Sequence, residues 1–193
     1  DINAADNKAR LEDLYLPFKK KRQTKAEVAK TNGLEPLAKI IMVQRTDNLD
    51  YIASQYLNDE IENEDQALEG ARHIIAEWIN ERLDIRNQIR HQLQKFAIIN
   101  TKLVASKKEE EKAQKYRDYF DWSEPLARCP SHRLLAILRA ETEGFIRVSI
   151  DIDSEKAVSK MEERIIKSDS SCAEQISLAI QDAYKRLLFP SLS

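Results

Sequence analysis

Hydrophobic positions along this chain recur mostly at intervals of three and four, the period of an amphipathic helix. The longest stripe runs Leu68, Ala71, Ile75, Trp78, Ile85, Ile89 and Phe96, widened by Ile74 and Ile79. It predicts one helix from about Glu64 to about Lys95, with a single gap at Arg82. At 1.5 Å per residue such a helix is roughly 45 Å long, a spine against which other elements pack. A second stripe, Ile176, Ala179, Ile180, Ala183, Tyr184 and Leu187, predicts a C-terminal helix from Cys172 to Leu188, ended by Pro190.

Polar punctuation supports a helical reading. The stretches Thr24–Glu27, Asn63–Gln66, Ser106–Glu109 and Ser171–Glu174 each have the form of a capping box, in which a short polar side chain and a Glu or Gln satisfy each other's amides. Asn32-Gly33 is a helix stop, and Pro36 sits where a first helical turn tolerates proline. Only two segments depart from this pattern. Phe145–Asp153 alternates, with Ile146, Val148, Ile150 and Ile152 on one side, as a strand buried on one face does. Ile98–Val104 is its plausible partner. An isolated pair is marginal in water, so it must pack on helices or be joined by a strand from outside these residues. The charge run Ser106–Lys112 reads as a solvated helix start.

Composition narrows the class further. The 193 residues include only three glycines and five prolines, while 42% are apolar, enough for a folded and mostly helical core. With 31 basic against 33 acidic side chains, any contact with nucleic acid must come through a local patch. Cys129 and Cys172 form neither a disulfide framework nor a metal cluster, and they suit a reducing cytosol. No apolar run approaches the ~18 residues of a membrane span. The chain opens on Asp1, which suggests a piece of a larger protein.

Catalytic constellations are sparse. His73, His91 and His132 lie in separate elements, and no metal-ligand spacing occurs, so neither a metal nor a cofactor is expected. Asp151 and Asp153 share a strand face but read as its solvated side and end. Cys129 and His132 are spaced as a nucleophile and base can be, yet no third group orients them, and no catalytic residue is assigned. The segment Ser123–Gly144 therefore reads as a junction: Ser131 the N-cap, and Leu134, Leu135, Ile137 and Leu138 a helix apolar nearly all round, hence buried. Arg133, in the first turn, opposes the helix dipole and calls for a carboxylate or a phosphate; an internal salt bridge is favoured over a ligand, with Glu124, Glu141 and Glu143 as candidates.

The one concentrated basic patch is Lys19, Lys20, Lys21, Arg22 and Lys25, with Lys30 further on and Tyr15 and Phe18 near enough to stack. It reads either as a solvated loop or as a track for a phosphate backbone. Arg86 and Arg90, four apart on the long helix, extend it if they face the same way.

The order of several segments resembles the bacterial Tex family of transcription accessory proteins. They are RLEDLYLPFKKKRQTKAEVAKTNGLEPLA (Arg10–Ala38), ALEGARHIIAEWINERLDIRNQIR (Ala67–Arg90), KYRDYFDWSEPL (Lys115–Leu126), PSHRLLAILRAETEGFIRVSI (Pro130–Ile150) and the closing LLFPSLS. The match departs at Lys20, where the family's basic loop usually carries a proline. The resemblance implies that residues 1–193 are the later part of a helical N-terminal region in a multi-domain cytoplasmic protein. RNase-H-like, helix-hairpin-helix and RNA-binding domains would follow it. The expectation is thus a mainly α fold, a helical scaffold around one long central helix with a minor two-stranded β element. Its role would be non-enzymatic, with RNA or single-stranded nucleic acid as ligand of the full-length protein and RNA polymerase as a candidate partner. The alternative is a protein–protein docking module for polymerase or another factor.

Overall fold

The computed structural model describes residues 23–193. The fold is mainly α. Helix α1 (Lys25–Thr31) opens with a complete capping box: Thr24 Oγ1 accepts from the Glu27 amide at 3.1 Å, and Glu27 accepts from the Thr24 amide at 3.0 Å. Gly33, at φ +83°, turns the chain into α2 (Glu35–Val43), with Pro36 in its first turn as expected. Helix α3 (Leu49–Ser54) then leads to α4 (Glu64–Glu81), where Asn63 caps the Gln66 amide. Gln66 completes no reciprocal box there, because its side chain accepts from Glu62 instead.

The expected long helix is two helices. α4 ends at Glu81, Arg82 is extended (φ −69°, ψ 116°), and α5 (Leu83–Phe96) follows. The break is braced by side chains that the periodicity does not report. Arg82 Nε and Nη2 grip Asp84 at 3.1 and 2.8 Å, and Arg86 reaches back to the carbonyl and side chain of Asn80. The spine role falls to α4, on which α1, α2, α3 and the C-terminal helices pack. Phe96, placed on the buried stripe by its spacing, is 54% exposed; Leu93 is buried instead.

The β element has three strands, not two. β1 (Ile98–Leu103) lies between β2 (Asp121–Pro125) and β3 (Ile146–Asp151), antiparallel to both. β2 carries one large apolar residue, Trp122, and no alternation. It is a strand because β1 offers it a ladder, Ile98 opposite Pro125 through Lys102 opposite Asp121. Between β1 and β2, Ala105–Lys107 and Glu111–Tyr119 form 3-10 turns. Ser106 therefore caps no helix, and the charge run is a turn followed by a tighter helix.

α6 (Ser131–Thr142) begins after Pro130, with Ser131 inside its first turn and no side-chain cap. The helix is not buried all round. Ile137 and Ala140 enter a small core with Ile99, Ala113, Tyr116, Phe145 and Ile146, while Leu135 and Leu138 are 68% and 43% exposed. α7 (Ser154–Ile165), capped by Asp153, was not among the expected elements; its signal is Ala157, Met161 and Ile165 at intervals of four, all buried. The larger core gathers α1 to α5, α7 and α8 (Cys172–Asp182), and Leu126 packs against both cores.

Two further expectations change at the C-terminus. Ser171 does not box α8; its hydroxyl donates to the Thr46 carbonyl at 3.0 Å. Pro190 does not end the helix: a wide π turn, Ala183–Leu188, passes into a short α9 (Phe189–Leu192) with Pro190 in its first turn. A wider turn relieves the clash a proline ring makes with the carbonyl four residues back. The α2 terminus is held to the α7–α8 connection through Gln44, at φ 57°. Its amide donates to the Ile165 carbonyl and accepts from the Lys167 amide, and its own carbonyl accepts from Ser168.

Candidate nucleic-acid interface

Of the basic patch read from sequence, Lys19, Lys20, Lys21 and Arg22 lie outside the described residues, as do Tyr15 and Phe18. Lys25 is exposed in the first turn of α1 and faces the middle of α4, where it borders a groove with Glu69, Gly70 and His73. Lys30 is exposed at the other end of α1. Arg86 and Arg90 hydrogen-bond neutral groups and keep their charge. Arg86 braces the α4–α5 break, and Arg90 donates to Asn87 at 3.1 Å.

Other polar residues hold the fold together. Arg133 Nη1 donates to Glu124 Oε2 at 2.7 Å, and its guanidinium lies 5.6 Å from the centre of the Trp122 ring. Glu124 is thus the acidic partner that the dipole argument demanded, supplied by β2. Glu141 instead accepts from the Val148 amide, and Glu143 pairs with Lys115 and Arg139. Those hydrogen bonds hold the Glu143 carboxyl down at about 2. Asp151 accepts from Asn100 at 2.7 Å and Asp153 caps α7, so neither strand-end carboxylate is idle.

Burial, with the nearby Glu124 carboxylate, pushes the Cys129 thiol up. A nucleophilic cysteine needs the opposite shift. His132 is exposed on the first turn of α6. His73 is more enclosed. Its Nδ1 is buried without a hydrogen-bond partner, 3.6 Å from Asp182, and burial together with Lys25 outweighs the neighbouring carboxylates and lowers its pKa. No group of three or more His, Cys, Asp or Glu side chains among the described residues is placed to hold a metal ion. Nor is any helix of the described residues long and apolar enough to cross a membrane.

Sequence reasoning missed a second basic locus. Lys156, Lys160 and Arg164 recur at intervals of four on α7 and face α5 across two adjoining grooves. The signal was the spacing itself, obscured because α7 also carries Glu155, Glu162 and Glu163.

The fold and these surfaces define a helical packing region in which several charged groups, among them Arg82, Arg133 and Glu143, serve internal pairs. A family profile described as Tex central region-like matches residues 44–185. The chain is 42% identical over 149 residues, 77% of its length, to the transcriptional accessory protein Tex of Neisseria gonorrhoeae. It is 40% identical over 157 residues, 80% of its length, to protein tex of Bordetella pertussis, and 40% identical over 154 residues, 79% of its length, to protein YhgF of Escherichia coli K12. The aligned part spans about a fifth of each relative: 19%, 20% and 20%. The chain belongs to the Tex family.

Proposed function

We propose that this region is a non-enzymatic helical scaffold within a nucleic-acid-binding transcription accessory protein. It holds the RNase-H-like, helix-hairpin-helix and RNA-binding domains that follow it in the full-length protein. The observation that carries this reading is the construction around α4. Helices from both ends of the chain bury their apolar stripes on it, and a bond network joins residues 44–46 to residues 165–171. Such a frame fixes distant parts of the chain relative to each other. The basic loop adds a sequence-independent phosphate contact of its own.

The loop contact is tested by titrating single-stranded RNA into the chain at several salt concentrations. With five cations engaged (Lys19 to Arg22, and Lys25), log K falls with log salt at a slope of about −3.5. Between 50 and 200 mM salt that is a loss of roughly a hundredfold. Neutralising the five residues lowers the magnitude of the slope by about 3.5. Salt-independent binding, or an unchanged slope in the variant, refutes the loop's role.

One observation favours the second reading, a docking module. α6 shows solvent two large aliphatic side chains, Leu135 and Leu138, on a helix that otherwise packs against the sheet. A helix face of this kind suits recognition by a protein partner. Retention of purified RNA polymerase by the immobilised chain, lost in Leu135→Ser/Leu138→Ser, supports it; equal retention by the variant removes it.

A further inference from the structure

Between α5 and α7 lies a groove of about 230 Å³. Phe96, at the end of α5, is 54% exposed, and Ile98 and Ile152 complete an apolar wall. Lys156 holds its ammonium 5.6 Å from the centre of the Phe96 ring, and Lys160 stands one turn further along α7. Neither lysine is ion-paired among the described residues, whereas Arg164, the next in the row, leans on Asp84 at 3.6 Å. The Asp153 carboxylate, also in the lining, is occupied by the Lys156 amide.

The decisive residue is Gln92. It is only 6% exposed, it lines this groove, and its Oε1 is buried with no hydrogen-bond partner. One turn before it, Gln88 buries an unpartnered Nε2 beside the adjoining groove that shares Lys160. Buried amides are nearly always satisfied, because an unmade hydrogen bond costs stability. Two ends on successive turns without a partner among the described residues, facing the same helix, leave hydrogen-bonding capacity on this side of α5.

We propose that the α5–α7 groove binds one nucleotide unit of a single strand. The base stacks on Phe96, its edge is read by the Gln92 amide, and its phosphate sits between Lys156 and Lys160. The proposal rests on the nucleic-acid reading above for the class of ligand. The chemistry supports that class. A nucleobase presents a flat face for an aromatic ring and, on its edge, the paired donor and acceptor that a glutamine amide matches. Lysines supply point charges for phosphate. An acidic peptide would use the lysines but would leave the exposed ring and the amide unexplained. On binding, Lys156 moves off the ring it now covers and the base takes its place.

The test uses the full chain with fluorescein-labelled single-stranded dA12 and rA12, followed by anisotropy, with AMP as competitor. Phe96→Ala weakens binding about tenfold, within the range of base–aromatic stacking, and Phe96→Tyr restores it. Lys156→Gln/Lys160→Gln reduces the salt slope by about 1.4, two phosphate contacts' worth. Gln92→Leu weakens binding while raising the thermal midpoint, since it removes an unsatisfied buried group; a merely structural glutamine would not separate the two. Displacement of the strand by AMP supports a site for an isolated nucleotide. The same variant losses without AMP displacement support a site that takes its nucleotide from a strand. Unchanged binding in Phe96→Ala, no binding of either strand, or the same variant losses with a polyaspartate peptide overturns the proposal. If neutralising Lys19 to Arg22 and Lys25 abolishes binding while the groove variants bind normally, the groove is excluded and the loop contact stands.

Discussion

Two residues apart on α6, Ile137 and Leu135 should respond oppositely to the same truncation. Ile137 has no exposed surface and belongs to a core of only seven buried residues, which has few neighbours able to collapse into a void. Truncating a buried isoleucine to alanine costs about 2–5 kcal/mol, combining lost transfer energy with the cavity left behind. Taking 3 kcal/mol as representative, a chain of this size loses about 6–12 °C in thermal midpoint. Leu135 is 68% exposed. Its truncation changes stability by no more than about 0.5 kcal/mol, and alanine's helix propensity opposes even that. Urea unfolding of Ile137→Ala and Leu135→Ala, followed by circular dichroism with the m-value checked for each, gives the comparison directly. Equal losses for the two variants would mean that α6 is buried on both faces, as its sequence alone suggests, and the placement of this helix would be wrong.

Gly70→Ala sets two effects in opposition. Alanine gains about 1 kcal/mol of helix propensity in the middle of α4. Its Cβ would meet Leu34 Cδ1 in a fully buried site, and overpacking of that kind costs about 1–3 kcal/mol, so a net loss near 1 kcal/mol is expected in a thermal melt. Asp84 is held at about 2, against an ordinary 3.8, chiefly by its hydrogen bonds with Arg82. A lowered carboxylate stabilises the fold above its unfolded pKa and loses that contribution as pH falls, here between about 4 and 2. Acid titration of Asp84→Asn should therefore show a shallower decline in that window, and an identical decline would exclude the pair as the cause. For His73 the protonated form is disfavoured in the fold, so just below its ordinary 6.5 the unfolded chain binds more protons and stability rises with pH. His73→Gln flattens the slope below 6.5; a retained slope points to other groups.

Local chemistry was readable wherever one residue decides the local backbone. Thr24 caps α1 with Glu27, Gly33 turns the chain out of it, and Asn63 caps α4, as a short-range reading requires. The sequence shows that Arg133 needs an anionic partner, a carboxylate or a phosphate, but only the pairing of β2 with β1 brings Glu124 to it. The capping-box pattern failed at Ser106 and Ser171. At Ser106 the backbone forms a short 3-10 turn in place of an α-helix, and at Ser171 the hydroxyl bonds Thr46, 125 residues earlier.

Periodicity by itself determined the helical class, the alternating strand β3 with its partner β1, and membership of the α4 and α8 stripes, because burial on one face imposes a period on the residues that form it. It marked Arg82 as a gap in the stripe but could not show that the helix breaks there, since the apolar register continues beyond it and the bracing contacts join residues whose facing depends on the kink itself. Nor could it say which side of α6 is covered, or make a strand of Asp121–Pro125, because both depend on what lies alongside. The α5–α7 groove belongs to that second group. Phe96, Gln92, Lys156 and Lys160 are ordinary residues on two separate helices, and only tertiary packing places an exposed ring and, with no partner among the described residues, an amide oxygen and two ammonium groups around one space.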